Sequence, residues 1–126
     1  MTVYPTLADV LTVHDDQLER FGGMKGIRDP GLLQAALFRP QTGYYADLIE
    51  EAAALWESMA QNHPFLDGNK RTAFAVTYAF LGMNNLRITP EGEAVYAFIM
   101  HLYDTKTFTF ENLKTWLTAN TKQKIT

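Results

Sequence analysis

The centre of the sequence reads HPFLDGNKR at residues 63–71, and the apolar run AFAVTYAFL follows it at residues 73–81. A helix that is apolar on all sides is normally a buried one, so this run predicts a helix through the core. Gly68 and Asn69 stand just before it, and both residue types tolerate the positive φ values of a tight turn. The sequence therefore predicts a polar loop that opens a buried central helix at about residues 69–83.

The rest of the chain predicts an all-α fold, a compact bundle of about six helices joined by short loops. No repeat, linker or alternating run long enough for a sheet interrupts this pattern, so we expect residues 1–126 to form a single domain. Residues 86–88 are expected to be short and extended, and the polar tail at 121–126 to be frayed. Apolar residues at helical spacing place the other helices at residues 7–20, 31–38, 46–62, 90–103 and 111–120.

Three of these helices begin with a capping signal. Thr6 is a predicted N-cap, because its side-chain oxygen can accept from a free N–H of the first turn. Asp29-Pro30 and Thr89-Pro90 each combine a capping residue with a Pro that is suited to the first helical position. We therefore expect helices to start directly after Thr6, Asp29 and Thr89.

Composition narrows the class of protein. With 126 residues, 47% of them hydrophobic and 20% charged, the chain can bury a core of ordinary size. A net charge of −3 disfavours nucleic acid as a direct partner, because generic nucleic-acid binders are basic. Cys is absent, which excludes disulfides and Cys-based zinc sites and permits a reducing compartment. No signal peptide or membrane span is found in the sequence, so we expect a cytoplasmic protein.

The start of the central helix has the charges of an anion site. The first N–H groups of a helix lack partners and lie at its positive end. Lys70 and Arg71 add positive charge there, although helix stability alone would favour acids. A bound phosphate would resolve that conflict, and Gly68-Asn69 would let the backbone curl around it.

Two further residues complete a set of groups for transfer chemistry. His63 offers an imidazole, which can accept a proton from a hydroxyl near neutral pH. Asp67 offers a carboxylate for Mg²⁺. A base, a metal ligand and a phosphate site are the parts of a nucleotide-dependent transfer to a hydroxyl. The residue types alone leave a plain turn as the alternative, since Pro and Asp-Gly are common in loops.

The central stretch resembles the signature of the Fic/Doc family, enzymes that transfer parts of nucleotides to protein hydroxyls. Outside the loop, residues 21–23 and 26–33, followed by Ala36 and residues 39–41, look like the N-terminal half of the Doc (death-on-curing) branch, whose members are toxins of toxin–antitoxin modules. The resemblance therefore covers most of the chain. The family pattern, His-x-Phe-x-acid-Gly-Asn with an Arg two positions later, is matched by His63, Phe65, Asp67, Gly68, Asn69 and Arg71.

Three positions bear on which group is transferred. AMP-transferring Fic proteins commonly carry Gly at the position of Lys70 and a second Arg at the position of Phe74. Lys without the second Arg is similar to the Doc arrangement, which implies a kinase that passes the γ-phosphate of ATP to a threonine of elongation factor Tu. Gly68 departs the other way, because Doc itself has Ala there. An AMP transferase therefore stays open as the alternative, and a non-catalytic module that only binds a partner is the second.

The resemblance also implies a role for each loop residue and for the partners. His63 would be the catalytic base on the target hydroxyl, and Asp67 would bind Mg²⁺. The implied substrate is ATP, and the implied partners are elongation factor Tu and a Phd-type antitoxin on a separate chain. The nucleotide phosphates would be held by Gly68, Asn69, Lys70 and Arg71, with Asn69 also contacting phosphate.

Other polar residues are weaker candidates. His14 lies on the apolar face of the first helix, so we predict a buried histidine with a satisfied hydrogen bond rather than a ligand. His101 has no ligand-type partner at helical spacing and is expected in the core or at the surface. Residues 39–45 are either a target-positioning flap or a plain loop. Phe65 is expected to anchor the central loop in the core.

Overall fold

The computed structural model describes residues 1–124, and helices account for most of that range. A short 3₁₀ turn, Arg39–Gln41, follows the second helix. None of the helices in this range is long and apolar enough to cross a membrane. The helices are α1 (Leu7–Phe21), α2 (Pro30–Phe38), α3 (Leu48–Gln61), α4 (Asn69–Met83), α5 (Gly92–Asp104) and α6 (Phe110–Asn120).

Helix α4 is the central helix, as the sequence predicts. It packs against α3 and α1, and α3 packs in turn against α2 and α6. Ala73, Val76, Phe80 and Leu81 of α4 are buried as predicted, but Tyr78 in the same run is 51% exposed, so the helix is buried on part of its surface and not on all sides. The all-α fold class is therefore confirmed, and the polar loop enters this helix at its N-terminal end.

Trp56 of α3 joins four elements of the core. Its side chain is fully buried. Its ring lies 5.5 Å from Phe74 of α4 and 6.2 Å from Phe98 of α5, measured between ring centroids. Phe108, just before α6, and Trp116 within α6 lie at 6.1 and 5.8 Å. Such tilted and edge-on aromatic contacts add to the burial of the ring itself.

Two of the predicted helix starts are confirmed. Thr6 accepts from the backbone N–H of Asp9, whose carboxylate accepts in return from the N–H of Thr6, and the two together form a capping box. Asp29 caps α2 by accepting from the N–H of Leu32, with Pro30 at the first helical position.

The third predicted start is wrong by two residues, since α5 begins at Gly92 with Glu91 as N-cap. Thr89 has a different partner: its N–H and its hydroxyl both donate to the carbonyl of Asn120, at 2.9 and 3.2 Å. This long-range pairing directs the hydroxyl of Thr89 to the end of α6 and not to the N–H groups of a following helix.

The strands β1 (Leu86–Ile88) and β2 (Thr121–Gln123) form a small antiparallel sheet. The prediction that the chain has no sheet is therefore wrong, and so is part of the prediction that the tail is frayed. The register places Arg87 opposite Lys122. Residues 121–123 are therefore paired, while residues 125–126 of the predicted tail lie outside the described range. The strands are distant in sequence, so no local pattern indicated the pairing.

Candidate active site

The polar loop and the first turn of α4 line an open surface cavity of about 300 Å³. Every residue that lines it was singled out from the sequence, and every singled-out site residue lines it. These residues are His63, Asp67, Gly68, Asn69, Lys70 and Arg71.

The backbone at the start of α4 presents free donors to this cavity. Gly68 is the N-cap and has a φ of +74°, a left-handed conformation that glycine adopts without strain. The first N–H of the helix with a backbone acceptor is that of Thr72, which donates to the carbonyl of Gly68 at 2.9 Å. Within residues 1–124, the N–H groups of Asn69, Lys70 and Arg71 have no hydrogen-bond acceptor. Free N–H groups beside two cations form a site suited to phosphate.

Asp67 is held as a carboxylate at the edge of the cavity. Its Oδ2 accepts from the N–H of Met24 at 3.1 Å, and its Oδ1 accepts from the N–H of Gly68 at 2.8 Å. The hydrogen bond from Met24, then that from Gly68 and the charge of Arg71, lower the pKa of Asp67 below its ordinary value.

The donor set fits Mg²⁺. Each oxygen of Asp67 accepts one N–H and keeps a free lone pair, and Mg²⁺ commonly binds through one or two carboxylates with phosphate oxygens and waters. In the part of the chain that the structure describes, no three His, Cys, Asp or Glu side chains converge on one point. Asp67 would therefore share the ion with a bound nucleotide rather than hold it within a protein cage.

Asn69 closes the loop with its side chain, a role that the sequence analysis missed. Its Oδ1 accepts from the N–H of Phe65 at 2.9 Å, and its Nδ2 donates to the carbonyl of Phe65 at 3.0 Å. Phe65 is 1% exposed, which confirms the predicted anchor in the core. One hydrogen of the Asn69 amide remains for another acceptor, so the phosphate contact stays a prediction.

His14 is buried and hydrogen-bonded, as predicted. It is 3% exposed, and its ring stacks on Phe65 with the centroids 3.7 Å apart. Its Nε2 lies 2.9 Å from the carbonyl oxygen of Asp67 and must donate, because a carbonyl only accepts. Helix α1 thus supports the loop from behind the cavity.

A second segment, residues 22–28, runs along the polar loop; parts of it were noted in the sequence only for their likeness to the Doc branch and not as a support of the site. Leu66 donates its N–H to the carbonyl of Gly26 at 3.0 Å, and Arg28 donates its N–H to that of Pro64 at 2.8 Å. These bonds flank an isolated antiparallel bridge between the two segments. The glycines of this segment were the available signal in the sequence. They have positive φ values, and such residues let the segment approach the backbone of the polar loop closely.

Residues 39–45 pack on α3 and α6. The sequence left two interpretations of this segment, a target-positioning flap and a plain loop. Arg39 donates to the carboxylate of Glu57 at 2.8 Å and to the hydroxyl of Tyr45 at 2.7 Å. The ring of Tyr45 lies 5.6 Å from that of Phe110 at the start of α6. The segment hydrogen-bonded to the polar loop is therefore 22–28 and not 39–45.

Both cations of the cavity are held at its edge. Lys70 places its Nζ over the ring of Tyr103 at 4.2 Å from the centroid. Arg71 lies over the ring of Phe21 at 5.2 Å and donates to the carbonyl of Gly22 at 3.1 Å. The two charges are thereby kept beside the free N–H groups of α4.

Tyr103 packs beneath Lys70, and the hydroxyl group of this tyrosine allows the packing to be tested. It is buried with no hydrogen-bond partner within residues 1–124, and burial raises the pKa of Tyr103 to about 12. We expect Tyr103→Phe to keep or raise the free energy of unfolding at neutral pH, because an unsatisfied buried hydroxyl costs about 1–3 kcal/mol. Above pH ~10, where tyrosines of the unfolded chain ionise, the parent should lose stability that the variant retains.

Urea unfolding at neutral pH and at pH ~11 measures both effects, and the other tyrosines cancel because both proteins contain them. A variant that is less stable than the parent at neutral pH would contradict the unpaired hydroxyl.

A larger groove of about 750 Å³ adjoins the cavity between α1, α4 and α5. Lys70 and Arg71 line both, so the groove opens on the predicted phosphate site. Phe74, the position at which AMP-transferring proteins have a second Arg, contributes an aromatic wall instead of a cation. The other apolar wall residues include Tyr78, Val95, Tyr96 and Ile99.

Comparisons with known proteins agree with the resemblance. The sequence model of the "Fic/DOC family" matches residues 4–81. The "Toxin Doc" of Mycolicibacterium smegmatis is 43% identical over 96 residues, which cover 72% of this chain and 72% of that protein. The "Protein kinase doc" of Escherichia phage P1 is 33% identical over 84 residues, which cover 64% of this chain and 67% of that protein. The matched family region includes the polar loop and almost all of α4.

Proposed function

The chain belongs to the Fic/Doc family, and from that premise we propose that it is the toxin of a toxin–antitoxin module, a kinase that phosphorylates elongation factor Tu. Its substrates would be MgATP and a threonine hydroxyl of that target, and the modification would block translation. The observation that carries the proposal is the convergence of all six predicted site residues on one cavity. A base, a carboxylate and a phosphate site in one cavity are what hydroxyl phosphorylation needs.

In this mechanism His63 accepts the proton of the target hydroxyl as that oxygen attacks the γ-phosphorus of ATP. The bond between the γ-phosphorus and the bridging oxygen breaks, and ADP leaves. Lys70, Arg71 and the free N–H groups at the start of α4 hold the phosphates and stabilise the charge on their oxygens. Mg²⁺ bound at Asp67 would supply further neutralisation of the phosphate charge.

Phe74 favours phosphate transfer over AMP transfer. A second cation at this position would bind the phosphates from the groove side. Phe74 instead forms part of an apolar wall, with its ring centroid 5.5 Å from that of Trp56. A relative that is named as a protein kinase supports the same choice. AMP transfer remains the alternative, favoured by Gly68, and a purely binding role is disfavoured by the complete set of site residues.

The adjoining groove suits the antitoxin partner that a toxin requires. We propose a Phd-type antitoxin on a separate chain, whose disordered segment folds as an amphipathic helix into the groove. Its apolar face would cover the side chains of α4 and α5, and acidic residues would meet Lys70 and Arg71 at the end of the groove. Such binding would cover the phosphate site and silence the enzyme.

The proposal is tested by incubating the protein with elongation factor Tu, Mg²⁺ and ATP labelled at either the α- or the γ-phosphate. We expect the target to gain one phosphate group by mass spectrometry and label only from the γ-position. Chelation of Mg²⁺ with EDTA should abolish the gain. Transfer of the α-label with a gain of AMP would contradict the kinase proposal, and no modification of this target or of a cell lysate would leave a binding role.

A further inference from the structure

His63 has a strained backbone. Its φ is +48°, in the left-handed region that residues with a β-carbon rarely adopt. Such strain persists only where the surrounding structure enforces it, and it is concentrated at functional sites. The residue that follows is Pro64, which disfavours the right-handed helical conformation for His63 but does not by itself select the left-handed one. Another contact must therefore fix this conformation.

Arg28 supplies that contact. Its Nε donates to the carbonyl of His63 at 2.6 Å, and its Nη2 donates to the carbonyl of Asn62 at 2.7 Å. One edge of the planar guanidinium thus donates to two consecutive carbonyls. Its two donors have the fixed spacing that this requires, and the ammonium of a lysine does not. The two carbonyls can meet one guanidinium only while the chain turns sharply between them.

The position of Arg28 is itself fixed. Its backbone N–H and that of Asp29 both donate to the carbonyl of Pro64, at 2.8 and 3.1 Å. The guanidinium also lies at the C-terminal end of α3, where Asn62 is the C-cap and the helix dipole favours a positive charge. Main chain and side chain of Arg28 therefore hold the residues on both sides of His63 as well as His63 itself.

We propose that Arg28 is a positioning residue that locks His63 in the left-handed conformation from which its imidazole enters the cavity. The inference rests on the proposed function, because it takes His63 to be the base. Both bonded donors of Arg28 are used on main-chain carbonyls, and the residue does not line the phosphate cavity. Loss of Arg28 should therefore misplace the base and leave the nucleotide site intact.

The test compares Arg28→Ala and Arg28→Lys with the parent, with Arg87→Ala as the matched control. Arg87 is exposed on β1, past the far end of the 15-residue α4, roughly 20 Å from the cavity at 1.5 Å per residue. We expect kcat of Arg28→Ala to fall on the order of 10- to 100-fold, as for a base misplaced by about 1 Å, with an unchanged KM for ATP. Arg28→Lys should recover part of the rate, and Arg87→Ala should equal the parent.

A second readout does not depend on activity. In NMR spectra the parent should show the amide–Hα coupling and the strong intraresidue amide–Hα contact of a positive φ at His63. Arg28→Ala should lose this signature while the amides of α4 keep their shifts. If Ala at this position prevents folding, Arg28→Lys supplies both readouts, with a smaller change.

An unchanged kcat, a raised KM for ATP with the parent's kcat, or an unchanged signature at His63 in Arg28→Ala would each overturn the inference. Failure of the proposed function looks different, because the parent itself would then transfer AMP or modify no protein. The NMR comparison would still decide whether Arg28 sets the conformation of His63.

Discussion

Replacing His63 by Ala should lower the rate of transfer to the target by on the order of 10² to 10⁴, the usual contribution of a positioned general base. The hydroxyl would then have to lose its proton to water as it attacks. The proposed phosphate site consists of other residues, so the KM for ATP should stay close to that of the parent. Initial rates of target phosphorylation at varied ATP concentrations measure both constants.

The backbone of His63 calls for a second variant. Ala at a φ of +48° is strained, so His63→Ala combines loss of the imidazole with a cost in backbone conformation. Asn adopts left-handed backbone more readily and cannot act as a base near neutral pH, so His63→Asn should keep the loop and lose the same activity. His101→Ala is the matched control, because His101 is exposed on α5 and does not line the cavity.

Full activity of His63→Asn would contradict the role of the base. Equal loss of rate in His101→Ala would show that removal of any histidine harms the protein, and the result at His63 would then say nothing about chemistry.

The second large effect concerns stability. Trp56→Ala should lower the free energy of unfolding by about 3–5 kcal/mol, the usual cost of removing a large aromatic side chain from a core. Trp56 is fully buried and meets aromatic rings from α4, α5 and the α6 region, so no single element can shift to fill the space. Urea denaturation followed by circular dichroism measures the change without relying on tryptophan fluorescence.

Trp116→Ala is the comparison for this prediction. Trp116 is only half-buried, although it stacks on Phe98 with the centroids 4.6 Å apart. Its removal should therefore cost less than that of Trp56. A loss at Trp56 no larger than that at Trp116 would show that the core does not depend on Trp56. Should Trp56→Ala not fold, Trp56→Phe should show a smaller loss of the same sign.

The sequence was most informative where the signal is local. The apolar run of α4 and the capping residues Thr6 and Asp29 lie within a few residues of the structure that they determine, and the structure contains the helix and both caps. The start of α5 was predicted two residues early, and the hydroxyl of Thr89, expected to cap that helix, instead donates to Asn120, a long-range contact that no local pattern indicates. The short sheet was missed for the same reason.

By itself, the sequence determined the central helix, the polar loop before it and the set of side chains that share the cavity. These follow from spacing along one continuous stretch, because residues that are close in sequence at the start of a helix are also close in space. Only the tertiary structure decided how the loop is held. His14 and Arg28 reach it from α1 and from the segment before α2, across large separations in sequence. Their role depends on how distant helices pack, and no local sequence pattern indicates which residues this packing brings together.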